Sequence, residues 1–235
     1  MFFLYILHLR FSPKTFLMST PLEAMVPENK DGKAVDIEYS ITEENLQDAI
    51  TMFRLAYSRV IYPAIWKSLA GVGTASFSIW MAESNEVQRH LQVDDFLRID
   101  IPGPGPSAGE GYDWVRVEAL QENILPHTDE SFVMRLRACA NPENQEAGTA
   151  HFFTGEATST FILKRVKATV TCSYHGRNEK PNTTDVETVD KIRNKLVATG
   201  AVAGLSEVQW TALLTGILQK EKHLDTHTSK NDIPR

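Results

Sequence analysis

His151 and His175 each lie in a run of alternating apolar and polar residues. Histidine is the side chain whose ordinary pKa lets it give or take a proton near neutral pH, so both are candidate general acids or bases. Glu118, Glu156 and Arg135 sit on neighbouring runs and could orient or polarise a carbonyl-bearing substrate. Lone strand histidines serve more often as hydrogen-bonded structural residues than as catalysts, and that reading stands beside the catalytic one. No G-x-S-x-G elbow, H-E-x-x-H pair or cysteine-rich zinc spacing occurs, which disfavours the standard hydrolase and metalloprotease readings. His223 and His227 are four apart but have no supporting carboxylate or cysteine pattern, so no metal site is expected.

The segment from Ile101 to Gly111 is rich in proline and glycine. A phosphate-cradling loop needs inward backbone N–H groups and a helix opening behind it. Pro102, Pro104 and Pro106 remove three donors, and Tyr112 to Leu120 reads as strand. The segment is therefore expected to be a loop between strands, able to form the rim or lid of a cavity.

These residues depend on the elements that carry them. Val35, Ile37 and Tyr39 alternate with polar residues and predict a first strand. Ser40 and Glu43 have capping-box spacing ahead of a helix that runs through Leu46, Ile50, Phe53, Tyr57 and Val60. Pro63 should break it, and a second short helix through Trp66 should end at Gly71. Strands are then expected around Phe77–Met81, Leu97–Ile101, Trp114–Ala119, Phe132–Ala138, Ala150–Thr154, Ala157–Val166 and Ala168–His175. Their short connections imply antiparallel pairing. His175 to Asn182 reads as a solvated polar connection, followed by helical patterns from Thr184 and again from Ser206 through Trp210 to Leu218. Two short helices after the first strand, a run of strands and C-terminal helices make an α+β order.

The whole chain has 235 residues, a net charge of −6 and two cysteines. A mildly acidic chain does not advertise the basic patch that nucleic acid requires, so no nucleic-acid partner is expected. Two cysteines cannot form a disulfide framework, and packing must hold the fold. No apolar run reaches the ~18–20 residues that cross a bilayer, so no integral membrane segment is expected. In residues 1–33 positive charge follows the apolar block instead of preceding it, unlike a secretory signal. They are expected to be a flexible N-terminal extension, residues 34–220 the domain and residues 221–235 a polar tail, in a cytoplasmic protein. The Asn182-Thr183-Thr184 sequon would matter only if the chain were secreted.

The order of elements, together with the stretch Ala140-Asn141-Pro142-Glu143 to Phe152, resembles the helix-grip superfamily of START, pollen-allergen and polyketide cyclase-like proteins. The resemblance implies a curved antiparallel sheet wrapped around a C-terminal helix, with two short helices after the first strand. It also implies a cavity between sheet and helix that binds or carries an apolar or amphipathic small molecule, with no cofactor. Tyr112, Trp114, Arg135, Phe153, Thr160 and Tyr174 are the residues expected to line it, with Ser159 and Cys172 as further polar groups. Two alternatives follow. One is a cyclase or dehydratase-like enzyme using His151 or His175 as proton carrier; the other is a structural or partner-binding protein whose interior is filled.

Overall fold

The computed structural model describes residues 22–71, 73–82, 88–102, 105–125, 128–182 and 205–220. β1 (Lys33–Thr42) leads into α1 (Leu46–Val60). The helix is capped by Asn45, whose side chain accepts the Asp48 N–H at 3.0 Å, not by the expected Ser40–Glu43 pair. Ser40 is still in the strand, with its hydroxyl 2.9 Å from that of Thr171, and Glu43 accepts from Lys220 at 2.6 Å. Pro63 opens a 3-10 turn over Pro63–Ile65, and α2 (Trp66–Ala70) stops at Gly71.

The remaining strands are β2 (Ser76–Trp80), β3 (Phe96–Asp100), β4 (Asp113–Asn123), β5 (Glu130–Ala138), β6 (Thr158–Val166) and β7 (Thr169–Glu179). They form one antiparallel sheet in the order β1-β7-β6-β5-β4-β3-β2. The expected strand over Ala150–Thr154 is not one. Residues between β5 and β6 make a long excursion with a 3-10 turn at Gln145–Ala147, touching strand geometry only in isolated bridges. The last strand also runs to Glu179, so the expected solvated connection from His175 is in large part strand.

A final helix, α3 (Leu205–Ile217), packs on α2 and α1 and against β1 and β7. Arg59 holds its far end by donating to the carbonyls of Ile217 at 2.9 Å and Gln219 at 2.7 Å. The architecture is thus α+β, a curved antiparallel sheet with two helices after its first strand and a C-terminal helix on its inner face: the helix-grip arrangement.

Strand alternation assigns each side chain to a face. Ile37, Tyr174, Phe161 and Met134 form one cross-strand row toward the helices. Asp36, His175, Thr160 and Arg135 form the adjacent row on the outer face. Between sheet and α3 the rings of Trp66, Phe77, Phe161, Tyr174 and Trp210 contact one another, with Trp210 stacked on Tyr174 at 4.6 Å. Each fully buried ring of this kind contributes about 1.5–3 kcal/mol through area removed from water. The middle of the inner face is filled with aromatic side chains.

The first described residues are part of the domain. Leu22–Met25 form a 3-10 turn against β5, and Arg135 donates to the Met25 carbonyl at 3.1 Å. Residues 22–32 are therefore bound to the sheet, unlike the flexible extension expected up to residue 33. The rest of that expected extension, the tail over 221–235 and the helical pattern from Thr184 lie outside the described residues.

Candidate functional site

One corner of the inner face gathers buried polar groups around a small void. Val115 of β4 and Leu136 of β5 form its floor, and Ser159 of β6 adds a hydroxyl. The excursion between β5 and β6 delivers His151 and Phe153, and Glu179 comes from the end of β7. The void measures about 10 Å³, room for about one water molecule.

Glu179 reaches this corner because β7 bulges. Lys33 pairs with Glu179 but Val35 pairs with Gly176, so β7 carries an extra residue there. Asn178 takes up the irregularity with a left-handed backbone, φ 56°, which asparagine tolerates better than most residues. The bulge turns Glu179 inward, and Gly176 leaves it space, since a Cβ at that position would overlap Glu179 Oε1. Burial raises the Glu179 pKa above the usual carboxylate range. Its carboxylate accepts from the Tyr174 hydroxyl at 3.2 Å, and that hydroxyl also meets Ser159 Oγ at 3.1 Å. Burial first, and then the Glu179 charge, push the Tyr174 pKa up, so the phenol keeps its proton.

His151 is neutral here. Burial lowers its pKa to about 3, and its Nδ1 accepts the Phe153 N–H at 3.0 Å. The ring proton therefore sits on Nε2, and the ring stacks on Phe152 with centroids 4.4 Å apart. A neutral imidazole of this kind donates a hydrogen bond from Nε2 but takes up no second proton at neutral pH. Beside it Asp113 is almost fully buried and accepts the Phe152 N–H at 2.7 Å. Burial pushes the Asp113 carboxyl up to about 7, only partly offset by that hydrogen bond.

Of the residues expected from sequence, His151 and Phe153 line the void, and Tyr174 reaches its edge through Ser159 and Glu179. Thr160, Arg135 and His175 share a row on the outer face, away from it. Arg135 donates to Glu118 at 2.7 Å, and Arg137 donates to the other oxygen of the same carboxylate. Glu118 stands in a second bulge, between Val117 and Ala119. Trp114 is buried against Gly109 of the proline-rich loop and 6.0 Å from Trp80, and Tyr112 lies under the Arg98 guanidinium at 4.5 Å. His151 and His175 therefore stand on opposite faces and cannot serve one reaction centre together. Among the described residues no three His, Cys, Asp or Glu side chains gather as a metal ion would require.

Asp113 and Glu179 escaped the sequence reading. Glu179 sits in a polar stretch that resembles a loop, and only Asn178, a residue tolerant of positive φ, hinted at a bulge. Asp113 opens β4 at a position that favours solvent by residue type, and its burial depends on the distant Phe152.

No known family profile matches the chain, and no curated protein matches it. Among solved structures it is similar to a hypothetical protein of Helicobacter pylori, with 10% identity and a TM-score of 0.43 over 90% of this chain and 98% of that one. It is also similar to the di-domain ARO/CYC StfQ from the steffimycin biosynthetic pathway, with 13% identity and a TM-score of 0.35 over 78% of this chain and 50% of that one. Ara h 8.0201 matches at 12% identity and a TM-score of 0.33 over 79% of this chain and 99% of that one. Likenesses this distant carry no functional argument, and the helix-grip assignment rests on strand order and helix placement in the chain itself.

Proposed function

We propose that the protein binds a small amphipathic molecule at the corner formed by His151, Phe153, Ser159 and Glu179. The observation that carries this reading is the inward turn of Glu179, which places a carboxyl beside a neutral imidazole and a hydroxyl over an apolar floor. Sites of this kind combine apolar walls with a few convergent polar groups and shifted pKa values. A ligand hydroxyl would accept from His151 Nε2 and donate to Glu179, while its carbon frame lay on Val115 and Leu136. The void holds about one water, so a larger ligand must displace Phe153 or draw the excursion outward. His151 acts in this reading as a hydrogen-bond donor, which weakens the enzyme alternative in which it carries a proton.

The filled-interior alternative is favoured by the aromatic cluster that occupies the space between β6, β7 and α3. Native mass spectrometry of the purified protein, with thermal shifts across a panel of small alcohols, phenols and fatty acids, separates the two. Binding at the corner predicts a stabilising shift, about 2.7 kcal/mol when ligand is 100-fold above Kd, that Glu179→Gln reduces. A panel with no shift, and no co-purified compound, would leave the filled interior as the reading.

A further inference from the structure

The outer face of β7 carries a second constellation, independent of the corner. Ser173 and His175 are two residues apart on β7 and share that face, and Asp36 is directly opposite His175 on β1. Asp36 Oδ1 is 2.5 Å from His175 Nδ1, and Ser173 Oγ is 3.0 Å from His175 Nε2. A carboxylate oxygen only accepts, so a proton on Nδ1 faces Asp36, and in the neutral ring Nε2 is left to accept from the serine hydroxyl. Arg177, next along the same face, donates to Asp36 at 2.7 Å and also to the Val35 carbonyl at 3.1 Å. Partial burial opposes ionisation of Asp36, but hydrogen bonds from Arg177 and His175 hold its pKa below the usual carboxylate range. Nucleophile, base and orienting carboxylate thus stand in the order that activates a serine, a geometry that recurs on unrelated folds.

We propose that Ser173 is an activated nucleophile that accepts an acyl group from small activated esters. His175 Nε2 takes the hydroxyl proton as Ser173 Oγ bonds to the ester carbonyl carbon. The bond from that carbon to the leaving oxygen then breaks, and the leaving alkoxide takes the proton back from His175. Water attacking the acyl-serine by the same route, with its proton passing to His175 and then to Ser173 Oγ, restores the enzyme and releases the acid. Two features set the scope. Ser173 is only 5% exposed, so the acyl group must be short. The backbone around it is engaged in ladders with β1 and β6, so it offers no free pair of N–H groups as an oxyanion hole. A missing donor of that kind lowers acyl-transfer rates by about 10²–10³, so slow acylation is expected instead of rapid turnover.

The test is incubation of the full chain with p-nitrophenyl acetate, followed by peptide mass spectrometry and by release of p-nitrophenolate. Acetyl-Ser173 is expected, absent from Ser173→Ala, with the rate at least tenfold lower in His175→Gln and in Asp36→Asn. Thermal unfolding and circular dichroism establish that these variants keep the fold. Folded His175→Gln acetylated at Ser173 as fast as the parent would overturn the proposal. So would an absence of acetyl-Ser173 in the parent, or acetylation there no faster than in urea-unfolded chain.

Discussion

The side chains of Asn29 and Asn178 clasp two segments of backbone together: Asn29 Oδ1 accepts the Asn178 N–H at 2.7 Å, and Asn178 Oδ1 accepts the N–H of Lys30, next to Asn29, also at 2.7 Å. Asn178 Oδ1 takes a further N–H from Asp31 at 3.2 Å. Gly32 then passes so close to the backbone of Glu179 that a Cβ there would lie 2.7 Å from its carbonyl carbon. The segment entering β1 therefore fixes the bulge that turns Glu179 inward.

Replacing Asn29 with alanine leaves the Asn178 N–H without its acceptor. A loss of about 1–2 kcal/mol in urea unfolding is expected, the usual effect of stranding a partly buried donor. Lys180→Ala removes only an exposed pair with Asp31 and should change stability little. Equal effects from the two would mean that the asparagine clasp does not hold the bulge.

Asp113 and His151 give the protein opposite pH responses. The raised pKa of Asp113, about 7, means that its favourable contribution is complete below pH 4 and is lost as pH rises through 7. The lowered pKa of His151, about 3, means that its contribution is complete above pH 6.5 and is lost as pH falls toward 3. Asp113→Asn keeps an acceptor for the Phe152 N–H and removes the alkaline loss. Its stability relative to the parent is expected to rise by about 2–4 kcal/mol between pH 4 and pH 8. Parallel pH curves for the two proteins would show that Asp113 ionises without penalty.

Phe161 sits at the centre of the aromatic cluster, touching Trp66, Tyr174 and Trp210. Phe161→Ala should lower stability by about 3–5 kcal/mol and open a dry apolar cavity between sheet and α3. Toluene or indole is then expected to raise the Tm of the variant and not of the parent. A variant that loses less than about 1 kcal/mol and gains no binding would mean that neighbouring rings close the gap.

The sheet was legible from its side chains. Phe132, Met134 and Leu136 alternate with Val133, Arg135 and Arg137 as a strand with two distinct faces must, and β5 is there. The two helices after β1 followed from the spacing of Leu46 to Val60 and from Pro63. Ser40 and Glu43 satisfy the local capping pattern, yet Asn45 caps the helix because the sheet claims Ser40, whose hydroxyl bonds Thr171. The site was harder to read, since its polar groups meet through distant pairings. His175 finds Asp36 across 139 residues of sequence, and periodicity reports only nearest neighbours. The inward turn of Glu179 depends on one backbone angle at Asn178, which no alternation pattern encodes.

The strand order has a kinetic consequence. β1 is made first, yet its partner in the sheet is β7, which leaves the ribosome after all the other strands. Until then β1 has no ladder, β6 presents a bare edge and the Asn29 clasp has nothing to grip. Closing so long a loop must precede the contacts that reward it, which makes folding of such a chain slow. Nascent chains cut short before Thr169 would expose the β6 edge to other unfinished copies, and self-association should be confined to that stage of synthesis.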